Sequence, residues 1–169
     1  LGEAPLTRIL IHHNKVTNSV LATNDYGGLS PWQGGPLYIY NNISANAIGH
    51  RNYPDVSDSY KTVAYNLYLD GAFKAYSFNN ILTGRVVPEK PDHYTHCGYF
   101  MVFGFLNNFW NNTLWRFEYG INGSSGNRSA VLGNVFVNMQ KTFIGPHLPG
   151  DVSMLGGGDT GKQGRLGIP

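Results

Sequence analysis

Short runs of alternating apolar and polar positions recur along the chain, and each closes on asparagine: Ile9-Leu-Ile-His-His-Asn14, Leu37-Tyr-Ile-Tyr-Asn-Asn42, Ala75-Tyr-Ser-Phe-Asn-Asn80, Phe103-Gly-Phe-Leu-Asn-Asn108 and Ala130-Val-Leu-Gly-Asn134. Runs this short, rich in aromatic and branched residues and bounded by Gly and Asn, predict strands rather than helices. The closing asparagines follow one another at 28, 38, 28 and 26 residues. Repeats of that length with short β segments predict an all-β fold, a right-handed parallel β-helix (solenoid) of about four to five coils, each ~4.8 Å above the last. In such a stack Asn14, Asn42, Asn80, Asn108 and Asn134 form one internal column of amide hydrogen bonds, and Asn suits the left-handed backbone of a coil corner.

The single long interval places extra chain between Asn42 and Asn80. Its most polar part, residues 49–61, has the composition of a projecting loop that walls one side of a cleft. Coils are thus expected over residues 1–145. The repeat then fades, and residues 146–169 read as a Gly-rich C-terminal tail or linker. Neither end carries a recognisable cap, and the first residue is Leu1, so the chain reads as part of a longer or cleaved polypeptide.

Composition narrows the function. Lys and Arg number 12 and Asp and Glu 10 among 169 residues, a net charge of +2, which argues against a basic nucleic-acid-binding surface. No apolar run is long enough for a membrane helix, so neither nucleic acid nor membrane is an expected partner. Cys97 stands alone, which leaves no internal disulfide and no thiolate metal cluster.

Ten carboxylates permit an exhaustive search for acid-base chemistry. Four stand outside the termini, the loop and the turns: Asp25, Asp70, Asp92 and Glu118. Counted back from the closing asparagines, Asp25, Asp92 and Glu118 fall at nearly the same place in different coils. Strands one or two coils apart hold carboxylates at ~4.8 or ~9.6 Å, which brackets the separations used by retaining and inverting glycosidases. The competing reading is a column of acids that bond Ser, Tyr or backbone groups. His50, Arg51, His93 and His96 add candidate proton-transfer or sugar-binding groups, and Trp32, Tyr68 and their aromatic neighbours can stack on pyranose faces. Trp32, in a Pro-Trp-Gln-Gly-Gly turn, is the best exposed of these because a turn has no core side to fill.

The phrases Asp25-Tyr-Gly-Gly-Leu29 and Asn66-Leu-Tyr-Leu-Asp70-Gly71, each ahead of a strand ending in Asn-Asn, resemble those of right-handed parallel β-helix enzymes of carbohydrate metabolism with the pectate-lyase-like fold. The chain is most similar to the β-helical glycoside hydrolases with fucosidase-type and xylanase-type activities. That resemblance implies a secreted or periplasmic hydrolase of polysaccharides or oligosaccharides that needs neither cofactor nor metal, with Asp25 and Asp70 as its catalytic pair. A regular strand register sets those two at opposite ends of neighbouring strands, more than ~10 Å apart, unless a bulge at Gly27-Gly28 or within residues 30–35 draws them together. Asp25 with Asp92 or Glu118 is the second candidate pair.

Two other classes remain open on this fold. A polysaccharide lyase would abstract a proton beside a uronate carboxylate with Arg51, Lys61, Lys74, Arg85 or His50 as base. A β-helical adhesin or carbohydrate-binding module would use every acid structurally.

Overall fold

The computed structural model describes residues 8–23, 25–49, 62–84, 94–123, 126–127, 129–139, 141–144 and 153–155. Every strand pairing among them is parallel, and no helix occurs among them. In chain order the strands are β1 (Ile9–His12), β2 (Lys15–Thr17), β3 (Tyr26–Leu29) and β4 (Trp32–Gly34), then β5 (Leu37–Tyr40), β6 (Ile43–Ala45) and β7 (Thr62–Ala72). There follow β8 (Ala75–Phe78), β9 (Ile81–Thr83), β10 (Tyr94–Val102) and β11 (Gly104–Phe105), and then β12 (Asn108–Trp110), β13 (Thr113–Trp115), β14 (Tyr119–Gly123) and β15 (Gly126–Asn127). The last four are β16 (Ala130–Leu132), β17 (Val135–Val137), β18 (Lys141–Ile144) and β19 (Ser153–Leu155).

The chain visits three sheets in rotation. A first sheet runs β1-β5-β8-β12-β16-β19, a second β2-β6-β9-β13-β17, and a third β3-β7-β10-β14-β18 with β4 on the far end of β7. The two short strands β11 and β15 pair beside them. Within the first sheet alternate residues turn inward, as the burial of Leu37, Ile39, Ala75 and Ser77 shows. The inward rows of all three sheets meet in one core containing Leu37, Ile39, Leu67, Leu69, Tyr99, Met101, Phe109, Leu114, Ile121, Val131 and Phe136. Each large side chain enclosed there contributes about 1.5–3 kcal/mol, and Tyr99 stacks on Phe109 with ring centres 4.2 Å apart.

The corner between the first and second sheets carries the expected asparagine column, with one correction. The backbone NH of Asn14, Asn42, Asn80 and Asn112 donates to the side-chain oxygen of the next rung, at 3.0, 3.0, 2.9 and 2.8 Å. Each side-chain amide donates to that same oxygen. From Asn42 onward each also bonds a backbone carbonyl of the previous rung. The rungs are 28, 38, 32 and 22 residues apart. Asn112, not Asn108, is therefore the fourth rung; Asn108 lies in β12, opposite Tyr76 and Ala130.

The reason is local backbone geometry. His13, Asn41, Asn79, Asn111 and Gly133, each just before a ladder asparagine, have φ between 53° and 59°. The turn needs this left-handed residue, and Asn107, ahead of Asn108, does not supply it.

Two further expectations meet the structure here. Within the segment read as a tail, β19 continues the first sheet by pairing with β16. The expected projecting loop falls almost wholly on residues 50–61, outside the described residues.

Candidate functional site

On the outer face of the third sheet the strict alternation of β7 breaks. Leu67 and Leu69 point into the core and Tyr68 and Asp70 outward, yet Asn66, next to Leu67, is also turned in and buried. Its side-chain amide donates to the carbonyls of Ser44 and Thr83, which holds the backbone in a bend. Tyr65, three residues before Tyr68, consequently emerges on the same side, with ring centres 4.9 Å apart. Both rings pack on Phe100 of β10, at 4.3 and 5.0 Å.

The neighbouring strands follow the same bend without changing register. Tyr26 lies beside Ala64, Leu29 beside Leu67, Trp32 beside Asp70 and Gly34 beside Ala72. No bulge therefore slips β3 or β4 against β7: Asp25, just before Tyr26, stands seven positions back from Asp70 along the ladder, and only the tyrosine side chains reach between the two acids. Glycine matters at Gly27: a Cβ there would stand 2.7 Å from the Cβ of Tyr68, so only glycine lets the tyrosine pair settle above β3.

The two acids flank that pair. The Tyr65 hydroxyl donates to Oδ1 of Asp25 at 3.3 Å, and the Tyr68 hydroxyl donates to Oδ2 of Asp70 at 3.2 Å. Asp25 is exposed and Asp70 half-buried. Burial first, and then the negative charge of Asp25, raises the Tyr65 hydroxyl far above the usual phenol range. Burial likewise raises Tyr68, followed by the charges of Asp25 and Asp70. Asp25 thus acts electrostatically on both tyrosines. Each phenol stays a neutral donor at physiological pH.

Trp32 stands beside Asp70 in the register and is 68% exposed. The arrangement is two carboxyl groups bridged by two phenols, with an open aromatic ring at one end. It offers a proton donor and acceptor set beside a surface on which a sugar ring can lie.

Other candidates lie elsewhere. Glu118 precedes β14, three strand spacings or about 14 Å from the strand that follows Asp25. The expected shared column of acids is absent for this pair, because Glu118 aligns with His96 and Tyr26 rather than with Asp25. The Glu118 carboxylate accepts a hydrogen bond from Tyr119 and pushes that phenol up to about 12. His96 is buried, and its Nε2 meets the Ile48 carbonyl at 3.2 Å, which ties β10 to the turn after β6 rather than to solvent. Among the lyase candidates Lys74 is exposed in a turn four residues beyond Asp70. His50, Arg51, Lys61, Arg85, Asp92 and His93 lie outside the described residues.

Tyr65 and Phe100 are the members of the site that reading the sequence missed. In a regular strand, residues 65 and 68 face opposite ways. The signal was Asn66, a polar residue within the apolar phrase Tyr65-Asn-Leu-Tyr-Leu69 and the mark of a broken alternation.

No protein-family model, no curated protein and no solved structure matches the chain, so the acids, phenols and tryptophan of this face are themselves the basis for reading its function.

Proposed function

We propose that this chain is a run of coils from a right-handed parallel β-helix and that the outer face of its third sheet hydrolyses glycosidic bonds in a polysaccharide or oligosaccharide. Three parallel sheets visited in rotation and a five-rung asparagine column support the architecture. The observation that carries the function is the sequence of contacts from Asp25 to Tyr65, to Tyr68, to Asp70, which gathers two acids from different strands around one tyrosine pair.

In this reading one carboxyl protonates the leaving glycosidic oxygen while the other activates water or attacks the anomeric carbon. The Tyr65 and Tyr68 hydroxyls orient the carboxylates and remain protonated throughout. The ring of Trp32 holds a sugar next to Asp70. Such an enzyme works where glycans are met, in a secreted or periplasmic setting.

Incubation with a panel of plant, algal and bacterial polysaccharides provides the test. New reducing ends without ultraviolet absorbance are the expected product. An absorbing, unsaturated product transfers the site to lyase chemistry, and no product from any glycan leaves the binding-module reading in its place.

A further inference from the structure

The corner after β1 differs from the later ones in a single side chain. Just before the ladder asparagines the left-handed position holds Asn41, Asn79, Asn111 and Gly133, but ahead of Asn14 it holds His13, with φ of 55°. The turn works with Asn or Gly, so nothing in the ladder asks for an imidazole there.

Neighbouring residues of a strand face opposite ways, yet the left-handed turn brings His13 round to meet His12, the last residue of β1. The two rings are perpendicular with centres 5.1 Å apart, and Nδ1 of one lies 2.8 Å from Nδ1 of the other. Both side chains are exposed. Their orientations are set from outside the pair. His12 lies flat on Tyr40 at 4.9 Å, His13 meets the same ring edge-on at 6.0 Å, and Nε2 of His13 stands 3.3 Å from the side-chain amide nitrogen of Asn41.

An N–H···N hydrogen bond spans the gap when one Nδ1 carries a proton. A cation can take that proton's place. Two imidazole nitrogens ~2.0 Å from one metal are ~2.8 Å apart when they subtend a right angle and ~3.3 Å apart at the tetrahedral angle. The observed separation matches the right angle of a square or tetragonal site, the geometry of copper(II), which also has the highest affinity of the first-row divalent ions for nitrogen ligands. Among the described residues no third His, Cys, Asp or Glu completes a cluster, which leaves the other positions to water.

We infer that His12 and His13 form a surface copper(II) site, two cis imidazole ligands in a shell otherwise made of water. Binding converts the imidazole that carried the shared proton from its Nδ1–H to its Nε2–H tautomer, with no net release of protons. At His13 the Nε2–H then points at Asn41, whose amide turns its oxygen to accept it and so supports the ligating ring. The site lies apart from the third-sheet acids and does not depend on the hydrolase reading.

The experiment titrates copper(II) into the wild-type chain, His12→Phe and His13→Asn, with glycine as competing chelator, followed by calorimetry and electron paramagnetic resonance. Phe keeps the stack on Tyr40, as Phe78 does, and Asn is what three other corners use, so both variants keep the fold, which thermal melts verify. The wild type should bind one copper(II) more than either variant at the same free concentration, with affinity at least about tenfold higher and a tetragonal spectrum showing two nitrogen ligands. Equal uptake by all three chains overturns the site, because any copper they share sits elsewhere. A loss in only one variant reduces it to a single histidine and overturns the pair, and tighter binding of zinc(II) than of copper(II) overturns the right-angled geometry.

Discussion

The corner between the first and second sheets and the outer face of the third use polar residues in opposite ways. At the corner one amide recurs on five successive rungs, and from Asn42 to Asn134 every one of them is buried and bonded to its neighbours. On the third-sheet face Trp32, Asp70 and Val102 share one column with no two alike, and Asp25 just precedes Tyr26, whose column continues through Ala64 and His96. Repetition marks what holds a stack together, because each rung needs the same groups satisfied at the same place. A polar group that only one rung carries owes nothing to that repetition, although Asn66 shows that a single one can still brace the backbone.

The largest expected effect follows from breaking the repeated element. Asn80→Ala strips the acceptor from the backbone NH and side-chain amide of Asn42 and the donor from the Ile39 carbonyl, all within the enclosed corner. At about 1–3 kcal/mol for each orphaned group, a loss on the order of 4 kcal/mol is expected. That is a large part of a single domain's stability. Urea denaturation measures it, and a loss below about 1 kcal/mol would show that the ladder is ornamental.

A broader effect, spread over several groups, is alkaline unfolding. Burial raises the Tyr65, Tyr68 and Tyr99 hydroxyls, and the Glu118 hydrogen bond, with burial and that charge behind it, lifts Tyr119 to about 12. In the unfolded chain these phenols ionise near pH 10, so above that pH the unfolded state has lost more protons than the folded one. Stability is complete below about pH 10 and declines as pH rises through the folded values. Ultraviolet titration of phenolate should show these tyrosines ionising only together with unfolding. Early ionisation of every tyrosine would contradict the enclosed pair.

The smallest effect sharpens the comparison most finely. Asn108 resembles a ladder residue in sequence but bonds only the nearby Leu106 carbonyl, at 3.2 Å and half-buried, among the described contacts. Asn108→Ala should cost less than about 1 kcal/mol, whereas Asn112→Ala should approach the loss seen at Asn80. Equal losses at 108 and 112 would mean that the column is wrongly drawn.

Much of the fold was legible because the repeated unit is local. The strand phrases, the asparagine at the corner and the long interval after Asn42 all stand in the letters of the chain. Two Asn-Asn pairs lie four residues apart, at 107–108 and 111–112, and similarity of phrase points to the first while the ladder uses the second. Backbone handedness separates them: Asn111 is left-handed and Asn107 is not.

The site was less legible. Asp25, Trp32, Tyr68 and Asp70 were recognisable one by one, but the element that gathers them is the bend at Asn66, whose amide reaches Ser44 and Thr83 on other strands. Asn66 itself interrupts the apolar phrase, but its partners 22 and 17 positions away leave no local trace. The alignment of Glu118 with Asp25 fails by one residue, because they stand 16 and 17 residues before Asn134 and Asn42 and the register keeps that difference, setting Glu118 in line with Tyr26.

The central claim is that Asp25 and Asp70 act together. Its most direct test is the hydrolysis rate of Asp25→Asn and Asp70→Asn on whichever glycan the wild type cleaves, measured beside their melting temperatures. Both variants are expected to melt with the wild type while each loses at least ~100-fold in turnover, the loss that accompanies removal of general acid-base catalysis. Full turnover in either variant with the fold intact would contradict the paired-acid account and return both carboxylates to structural duty.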